Sequence, residues 1–519
     1  MDRRGLLRAF GRLTAVVLAT VSLGLSANAG DLVLPFGDEF AISADPATSH
    51  YDPAIAMTPD GLFSVAWWSD QGSVSIDRRV YRVFARRFSP LGDPSGESFP
   101  CNNLEGEVQM DPALAYLSDG SLAITWSAYP ETPEDSPHTV YARVFDSDDE
   151  PISAALQVNP SRFGTAFDPT IAALPESSFV VVWTSHEPLS TEYVAHDFGL
   201  YGQRFSLAGR RLGNVLRVNS TVAGDQNSAE IASRPDGGFV VTWASTRWIT
   251  PDWRATIAAQ LFDSSARKIG TELLVGDEDV GKRRLPTVSS GSDGAFVVAW
   301  GAGDYDAEFE NPGARDAVLR RFAPDGTPFS GVERVHADPA GRQVAPVVAH
   351  TGDKGFVVVW SDGYGRPWED DPARDSSGFG LFARTFDEAG VPSDVEFPVN
   401  TTTHWNQTFG GGPTRAVAAD SEGNFVVVWM SDFTGIVGRR FCRFSSEAAA
   451  CGDADCLGTG SSATDALVLL QAAVGARQCQ RCVCDVDESG AINARDALRV
   501  LRAATASEDA LVCPPCSAS

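Results

Sequence analysis

The sequence predicts an all-β protein, a seven-bladed β-propeller, followed by a small α-helical module. The first observation behind this prediction is a five-residue phrase, clearest at residues 356–360, that recurs seven times and ends in Trp each time. The second is its spacing, since successive Trp residues lie 57 to 69 residues apart. A fixed period of this size indicates a repeat architecture, and four strand-like runs per period describe a propeller blade. The seven residues are Trp67, Trp126, Trp183, Trp243, Trp300, Trp360 and Trp429.

Each period contains the same four runs in the same order. The first is short and follows a Pro, as at residues 53–56, and a turn that often contains Asp-Gly comes after it. The second is the Trp phrase, apolar on both faces and therefore expected between two layers. The third alternates apolar and polar residues and ends in Phe, as at residues 140–145. The fourth is brief and ends in Val-Asn, as at residues 156–159.

The seventh repeat lacks a fourth run, because the chain enters a Cys-rich segment after Phe441. A spare run, residues 39–43, precedes the first repeat. We predict that this run completes the last blade, which would close the ring and remove an exposed strand edge. Tandem immunoglobulin-like sandwiches would need about 100 residues each, and the coil of a parallel β-helix would be much shorter.

The first residues have the composition of a secretory signal peptide. Arg3, Arg4, Arg8 and Arg12 precede an apolar run at residues 13–25, and small residues follow it up to Ala29. The alternative, a transmembrane anchor, would need a longer apolar run. We therefore predict a signal peptide at residues 1–29, a propeller at 30–445 and a Cys-rich module at 446–519. The mature protein is expected to be secreted, without a membrane span.

Charge and cysteine content agree with an exported protein. The formal net charge of −27 repels nucleic acid and anionic membranes, so neither is an expected partner. Seven of nine cysteines lie between Cys451 and Cys516, which predicts a disulfide-stapled module in an oxidising compartment. Because nine is odd, at least one thiol should be free or pair between molecules, and we expect it to be Cys101. The Cys-x-x-Cys pairs at residues 479–482 and 513–516 also have the spacing of a zinc ribbon.

The loops between second and third runs are long and irregular in most blades, whereas the turns on the other face are short. Length variation on one face suggests that this face is functional. Aromatic residues stand beside acidic residues there, a combination that suits sugar stacking, cation binding or mere solubility. A glycosidase carboxylate pair needs a separation of ~5–10 Å, which the fold must set. The candidate ligand-binding residues are Trp248, Trp253, Tyr305, Trp368 and Trp405.

Two further patterns have a structural and a functional interpretation. Asp52, Asp111 and Asp168 each precede the Pro of a first run, so they either start that strand or ring the mouth of the channel. The Asn-x-Thr triplets at Asn219 and Asn400 resemble glycosylation sites. Since the same Val-Asn ending occurs in the second repeat without the Thr, we expect both to end fourth strands.

Residues 485–496 have the pattern of a calcium loop. Oxygen-bearing side chains stand at positions 1, 3, 5, 9 and 12, and a glycine stands at position 6, where the loop must turn sharply. Calcium takes six to eight oxygen ligands, which this spacing wraps around one ion. Helices are predicted at residues 463–474 and 494–504 from their apolar spacing. The predicted ligands are the side chains of Asp485, Asp487, Ser489, Asn493 and Asp496 and the carbonyl of Ala491.

A degraded copy of this loop precedes the first predicted helix. Asp453, Asp455 and Asp465 remain, but the last lies one residue too far from the first for the twelve-residue pattern. These three residues are a weaker candidate for a second calcium site.

The calcium loop and its following helix resemble a type I dockerin repeat, which ends in Asp where an EF-hand ends in Glu. The Trp repeats resemble a secreted bacterial repeat of the pattern DPxxAxxxDGxFVVxW, and this likeness implies exposure. Dockerins dock onto cohesins and commonly belong to polysaccharide-degrading enzymes, so the resemblance implies a cohesin-like protein or a cell-surface polysaccharide as partner. The extra cysteines depart from the cellulosomal pattern. The sialidase Asp-box is not reproduced.

We therefore expect an exported, non-catalytic binding or scaffold protein whose loop-rich face binds a glycan or a protein. The calcium-binding tail would serve attachment or assembly. One alternative is a dockerin-bearing glycoside hydrolase in polysaccharide catabolism. Another is a purely structural surface protein.

Overall fold

The structure is a computed structural model of the chain. It describes residues 32–43, 49–75, 78–102, 107–130, 138–160, 164–186, 198–249, 252–276, 284–303, 315–337, 342–363, 379–402, 406–410, 415–432, 435–444, 450–457, 461–505 and 511–514. The predicted signal peptide lies outside these residues. No helix among the described residues is long and apolar enough to cross a membrane.

The strands form seven antiparallel blades, each built from strands that follow one another along the chain. Blade 1 contains β2 (His50–Met57), β3 (Phe63–Ser75), β4 (Arg78–Phe88) and β5 (Phe99–Pro100). Blade 2 contains β6 (Glu107–Tyr116), β7 (Leu122–Pro130), β8 (Thr139–Phe145) and β9 (Leu156–Gln157). Blade 3 contains β10 (Ala166–Leu174), β11 (Ser178–His186), β12 (Phe198–Phe205) and β13 (Arg211–Arg217). Blade 4 contains β14 (Asp225–Ser233), β15 (Phe239–Ile249), β16 (Asp252–Phe262) and β17 (Lys268–Leu274).

The remaining blades follow the same order with two irregularities. Blade 5 contains β18 (Arg284–Ser290), β19 (Phe296–Gly303), β20 (Arg315–Phe322) and β21 (Glu333–Arg334). Blade 6 contains β22 (Arg342–His350), β23 (Phe356–Gly363), β24 (Phe379–Phe386) and β25 (Phe397–Pro398), and a short 3₁₀ turn, Gly352–Lys354, joins its first two strands. Blade 7 contains β26 (Gln407–Thr408), β27 (Val417–Ala419), β28 (Phe425–Ser431) and β29 (Gly435–Phe444). A single bridge links blades 5 and 6, and the inner strand of blade 7 is divided into β26 and β27.

The ring is closed by the amino-terminal strand. Strand β1 (Leu32–Ala41) pairs antiparallel with β29, from Leu32 opposite Phe444 to Ala41 opposite Val437. The first strands of the blades contact one another in a complete circle, from β2 through β6, β10, β14, β18, β22 and β27 back to β2. The predicted closure by residues 39–43 is therefore confirmed, and the closing strand begins earlier, at Leu32.

The Trp phrase forms the second strand of each blade and lies in the core, as predicted. Six of its Trp residues are completely or almost completely buried, and Trp67 is 2% exposed. Trp183 of blade 3 shares one apolar cluster with Val140 and Val158 of blade 2, so the Trp packs between blades. Within a blade, the first Phe of the phrase stacks on the Phe that ends the third strand, with ring centroids 4.7 Å apart for Phe356 and Phe386.

An arginine staple joins most blades to the preceding one. Arg143, two residues before Phe145, donates from Nη1 to the carbonyl of Cys101 in blade 1 (3.3 Å) and from Nε to that of Ser153 (3.0 Å). An arginine at this position reaches the preceding blade in five of the seven blades: Arg86, Arg143, Arg320, Arg384 and Arg439. Blades 3 and 4 have Gln203 and Gln260 instead.

The Val-Asn ending of the fourth strand is structural, as expected. Asn219 and Asn400 are 0% and 6% exposed, and each accepts a backbone N–H of the neighbouring third strand through Oδ1. Asn159 does the same with the N–H of Val140 at 3.0 Å. The two Asn-x-Thr triplets therefore hold buried side chains.

The carboxyl-terminal module contains three helices, α1 (Ala463–Ala473), α2 (Arg481–Cys484) and α3 (Ala494–Ala504). Helices α1 and α3 confirm the two predicted helices and pack against each other. Each begins with a capping box, Ser462 with Asp465 and Asn493 with Asp496.

Disulfides staple the module and attach it to the ring. Cys442 of β29 pairs with Cys456, Cys451 with Cys513 and Cys479 with Cys484, and Cys482 is also disulfide-bonded. The disulfide interpretation is thus confirmed over zinc for Cys479, Cys482 and Cys513, whereas Cys516 lies outside the described residues. Cys101 is buried and free, as predicted.

The module packs directly on blade 7. Phe36 and Phe444 of the closing strands share an apolar cluster with Val483 and other residues of the module. Arg477 forms an ion pair with Asp93 of blade 1, Nη2 to Oδ2, at 3.0 Å. The module and the closing strands of the ring therefore share one apolar cluster.

Candidate functional site

The inner strands of blades 1 to 6 share a β-bulge. The pairing register shifts there in every case, for example between Tyr51 and Ala54. One residue in each bulge has a left-handed backbone, with φ between 45° and 53°. Short polar side chains tolerate this conformation best, and bulges re-aim side chains at functional sites. In ring order these residues are Asp52, Asp111, Asp168, Ser228, Leu285 and Ala345.

Three consecutive blades thus place an aspartate at the same inner position. Burial, followed by the charges of Asp168 and Asp52, raises the pKa of Asp111 to about 8. Burial, followed by the charge of Asp52, raises the pKa of Asp168 to about 6. The three carboxylates therefore lie within electrostatic reach of one another. Near neutral pH, Asp111 holds its proton and Asp168 is mostly ionised.

An aromatic cluster adjoins Asp52. The indole Nε1 of Trp68 donates to Asp52 Oδ2 at 3.0 Å. Tyr51 stacks on Trp68 with ring centroids 4.3 Å apart, and Tyr81 meets Trp68 edge-on at 4.8 Å. All three rings are partly exposed. The carboxylates and a half-exposed aromatic surface therefore belong to one site.

Tyr129 extends this cluster into blade 2. Its ring stacks on His138 with centroids 4.5 Å apart. Burial raises the pKa of Tyr129, and the nearby Tyr81 and Asp111 raise it further, so the phenol lies within electrostatic reach of both.

An ion pair crosses the ring interior near these aspartates. Arg415 of blade 7 binds Glu230 of blade 4, Nε to Oε2, at 3.0 Å, although the two blades are not neighbours. Thr170 of blade 3 donates to the same Oε2 at 3.2 Å. Thr170 and Glu230 each lie two residues beyond the bulge residue of their strand. We call this pair the channel bridge. It connects blades 4 and 7 across the ring, two residues along the inner strands from the bulge positions that hold the aspartates.

The aromatic residues predicted for ligand binding are only partly placed. Trp248 and Trp253 lie opposite each other near the tip of the β15–β16 hairpin. Tyr305, Trp368 and Trp405 lie outside the described residues. Sequence reasoning missed Trp68 and Tyr81, although one signal was available: this copy of the phrase is the only one of seven in which a second Trp follows the first.

The structure gathers the carboxylates of the predicted calcium loop. Oxygens of Asp485, Asp487 and Asp496 lie within 4.8 Å of one another, and Gly490 has a φ of 86° at the turn. Asp496 is fully buried, and its Oδ1 has no hydrogen-bond partner among the described residues. Burial, then the charges of Asp487 and Asp485, raise the pKa of Asp496. A buried carboxylate oxygen without a donor fits a bound cation.

The other predicted ligands of this loop lie beside these carboxylates. The carbonyl of Ala491 accepts from Ser489 Oγ at 3.1 Å and from Asn493 Nδ2 at 3.0 Å. The amide of Gly490 donates to Asp485 at 2.9 Å, which folds the loop around the first carboxylate.

The degraded first loop also gathers its carboxylates. Asp453, Asp455 and Asp465 are all buried, with oxygens within 4.8 Å of one another. Burial, with a smaller contribution from the charge of Asp455, raises the pKa of Asp465 to about 6. The extra residue in this loop therefore does not keep the three carboxylates apart.

No protein-family model matches the chain, and no curated protein matches it. A solved structure of a protein of unknown function from Dyadobacter fermentans covers 79% of this chain and 98% of its own, at 13% identity and a TM-score of 0.45. An α-L-arabinanase of Penicillium chrysogenum complexed with arabinobiose covers 64% and 92%, at 12% identity and a TM-score of 0.41. An α-L-arabinofuranosidase of Fusarium graminearum covers 70% and 99%, at 12% identity and a TM-score of 0.42. At such values these likenesses carry no argument about the activity of this chain.

Proposed function

We propose that the channel mouth binds a glycan and hydrolyses its glycosidic bond. The observation that supports this most is that neighbouring blades hold Asp111 and Asp168 at the same inner bulge position, within electrostatic reach of each other. Their pKa values are both raised, that of Asp111 to about 8 and that of Asp168 to about 6. Glycosidases use two carboxyl groups, one protonated and one ionised, whose environments push their pKa values apart.

In this proposal Asp111 is the general acid and Asp168 the general base. The carboxyl proton of Asp111 passes to the glycosidic oxygen as the bond from that oxygen to the sugar carbon breaks. Asp168 takes a proton from the water whose oxygen attacks the same carbon. Asp52 raises the pKa of both groups, and Trp68 fixes its orientation.

The aromatic cluster supports a sugar as the ligand. The half-exposed faces of Tyr51, Trp68 and Tyr81 offer apolar area, while the neighbouring carboxyl groups offer hydrogen bonds to hydroxyls. A sugar has an apolar ring face and a rim of polar hydroxyls, and the site offers a matching surface to each.

The test is reducing-sugar release from a panel of polysaccharides that includes arabinan, xylan, galactomannan and β-glucan. We expect Asp111→Asn and Asp168→Asn each to lower the rate ~10²–10⁴-fold, the usual contribution of a general acid or base. The wild-type rate should be bell-shaped with pH, falling below about 6 as Asp168 gains a proton and above about 8 as Asp111 loses one.

Asp119→Asn is the matched control, because this exposed aspartate lies in the turn at the other end of blade 2 and should not affect the rate. Full activity in both channel variants would overturn the assignment. Binding without product in the wild type would instead favour the non-catalytic glycan-binding protein.

For the tail we propose calcium binding, supported by the buried, unpartnered Asp496 oxygen at the centre of the loop. Asp485, Asp487 and Asp496, with Ser489, Ala491 and Asn493, would hold the ion, and Asp453, Asp455 and Asp465 would hold a second one. Calcium would neutralise carboxylates that otherwise repel one another. Attachment through a cohesin-like partner and secretion stay predictions.

A further inference from the structure

A polar side chain accompanies each bulge aspartate from the neighbouring strand of its own blade. It stands directly after the repeated Trp, at the position that pairs with the residue before the aspartate. In blade 1 this residue is Trp68, whose indole binds Asp52 Oδ2 at 3.0 Å. In blade 2 it is Ser127. Burial raises the pKa of Asp111, and the Ser127 hydroxyl lies close enough to oppose this rise.

In blade 3 the same position holds Thr184. It pairs with Phe167, so it stands beside Asp168, the next residue of the inner strand. Thr184 is 0% exposed, and its Oγ1 has no hydrogen-bond partner among the described residues. Burying a hydroxyl without a partner costs free energy. Packing alone therefore does not explain a Thr at this position.

The blades without a bulge aspartate differ at this position. Blades 4 and 5 have Ala244 and Gly301 there, and blade 7 has Met430. Blade 6 has Ser361. A hydrogen-bond donor thus stands beside all three aspartates and is lacking in three of the four other blades. This pattern links the hydroxyl of Thr184 to the carboxylate of its blade.

The partner of Thr184 must be small. Because Thr184 is fully buried, the ring of a bound sugar is too large to reach it, whereas a water molecule can bind between two polar groups. The carboxylate of Asp168 is the second polar group. In the proposed reaction Asp168 takes a proton from the attacking water, so the same water can contact both side chains.

We propose that Thr184 is a third catalytic residue, whose hydroxyl holds the attacking water against Asp168. The inference rests on the proposed hydrolysis and adds a residue to it. The water gives one proton to Asp168 and directs the other to Thr184 Oγ1, so that a lone pair of its oxygen faces the sugar carbon. That oxygen bonds to the carbon as the bond to the glycosidic oxygen breaks, and the glycosidic oxygen takes the proton of Asp111.

Thr184→Val and Thr184→Ser separate this role from packing, because Val keeps the shape without the hydroxyl and Ser keeps the hydroxyl with less volume. The substrate is whichever of arabinan, xylan, galactomannan and β-glucan the wild type hydrolyses fastest. We expect Thr184→Val to lower kcat about tenfold, the effect of one lost hydrogen bond, with KM unchanged. Thr184→Ser should keep most of kcat.

The melting temperatures should follow the opposite order. Thr184→Val removes an unpartnered buried hydroxyl and should melt above the wild type, whereas Thr184→Ser leaves a cavity and should melt below it. A purely structural role would instead make activity and stability change together.

The pH profile gives an independent measurement. Both limbs should keep their positions in Thr184→Val, because the hydroxyl acts on the water and not on the carboxyl groups. A shifted acid limb would show that Thr184 tunes Asp168 instead, and would overturn the inference.

Thr242→Val is the matched control. Thr242 is 0% exposed in the second strand of blade 4, and its hydroxyl donates to the carbonyl of Ala258 at 3.0 Å. Loss of this hydrogen bond should lower the melting temperature and leave kcat unchanged.

Three results would overturn the inference alone while Asp168→Asn stays impaired. They are an unchanged kcat in Thr184→Val, an equal loss of kcat in Thr184→Val and Thr184→Ser, and an increase in KM without a change in kcat. Absence of product from the wild type with every polymer would overturn the inference together with the proposed hydrolysis.

Discussion

Burial contributes more to the raised pKa values of the inner aspartates than their mutual repulsion does. It is the largest cause of the raised pKa of both Asp111 and Asp168, with neighbouring carboxylates second. The left-handed bulge positions these side chains, and its residue type varies around the ring from Asp through Ser to Leu285 and Ala345. The backbone geometry therefore belongs to the fold, whereas the carboxylates belong to blades 1 to 3 alone.

The raised pKa of Asp111 makes stability depend on pH. The folded chain binds this proton more tightly than the unfolded chain, so stability is fully present below the ordinary pKa of 3.8 and falls as the pH rises toward about 8. The Asn of Asp111→Asn does not ionise, so the variant should not lose this stability. We expect its free energy of unfolding to increase relative to that of the wild type by on the order of 1–3 kcal/mol between about pH 5 and about pH 9. Urea unfolding at about pH 5 and about pH 9 measures this. A stability difference between variant and wild type that stays constant or changes in the opposite direction would contradict this prediction.

At the scale of strands and helices, local patterns predicted most of the fold. The four runs per period, the buried Trp strand and the two tail helices follow from side-chain periodicity, which is a local property. The arginine staples were missed because they act between blades, although an Arg two residues before Phe recurs in five blades. The convergence of Asp52, Asp111 and Asp168 was left open because it depends on ring curvature and on the bulges. Neither can be read from spacing.

The calcium loop can be tested as an element. We expect calcium to raise the melting temperature of the tail. The stabilisation should be ~2.7 kcal/mol when the calcium concentration is about 100-fold above its dissociation constant. Asp485→Ala should remove the larger part of this effect, because it removes the first ligand of the complete loop. Calorimetric melting with and without calcium is the measurement.

Glu488→Gln is the control for that experiment, since it removes a charge from the same loop at a position that is not a predicted ligand. An unchanged calcium response in Asp485→Ala would remove the assignment. Asp465→Ala reports separately on the first loop, where it should remove part of the response.

At the scale of the whole molecule, closure depends on the contact of β1 with both ends of the ring. Strand β1 pairs with β29 in blade 7, while Phe40 packs on Phe63 and Phe88 of blade 1, with ring centroids 6.2 and 5.8 Å away. The Cys442–Cys456 disulfide then fixes the tail to the same closing blade.

We therefore expect Phe40→Ala to destabilise the ring by ~2–4 kcal/mol, somewhat less than a fully buried Phe because Phe40 is partly exposed. Denaturant unfolding gives the size of the effect, and limited proteolysis should release β1 first. Phe329→Ala, at a Phe that is 58% exposed, is the control and should change little. Equal stability of the two variants would show that the contacts of Phe40 do not stabilise the closed ring.

The pairing of β1 with β29 also sets an order of events during synthesis. A chain made from its amino end produces β1 first, and the partner strand follows about 400 residues later. At 5–20 residues per second this delay is on the order of 20–80 s. Throughout that time the earliest strand has no partner within its own chain, and the last blade of a neighbouring copy offers the same edge. Synthesis of many copies close together would thus favour exchange of this strand between copies, and a binder that shields the strand during synthesis would raise the yield of monomer.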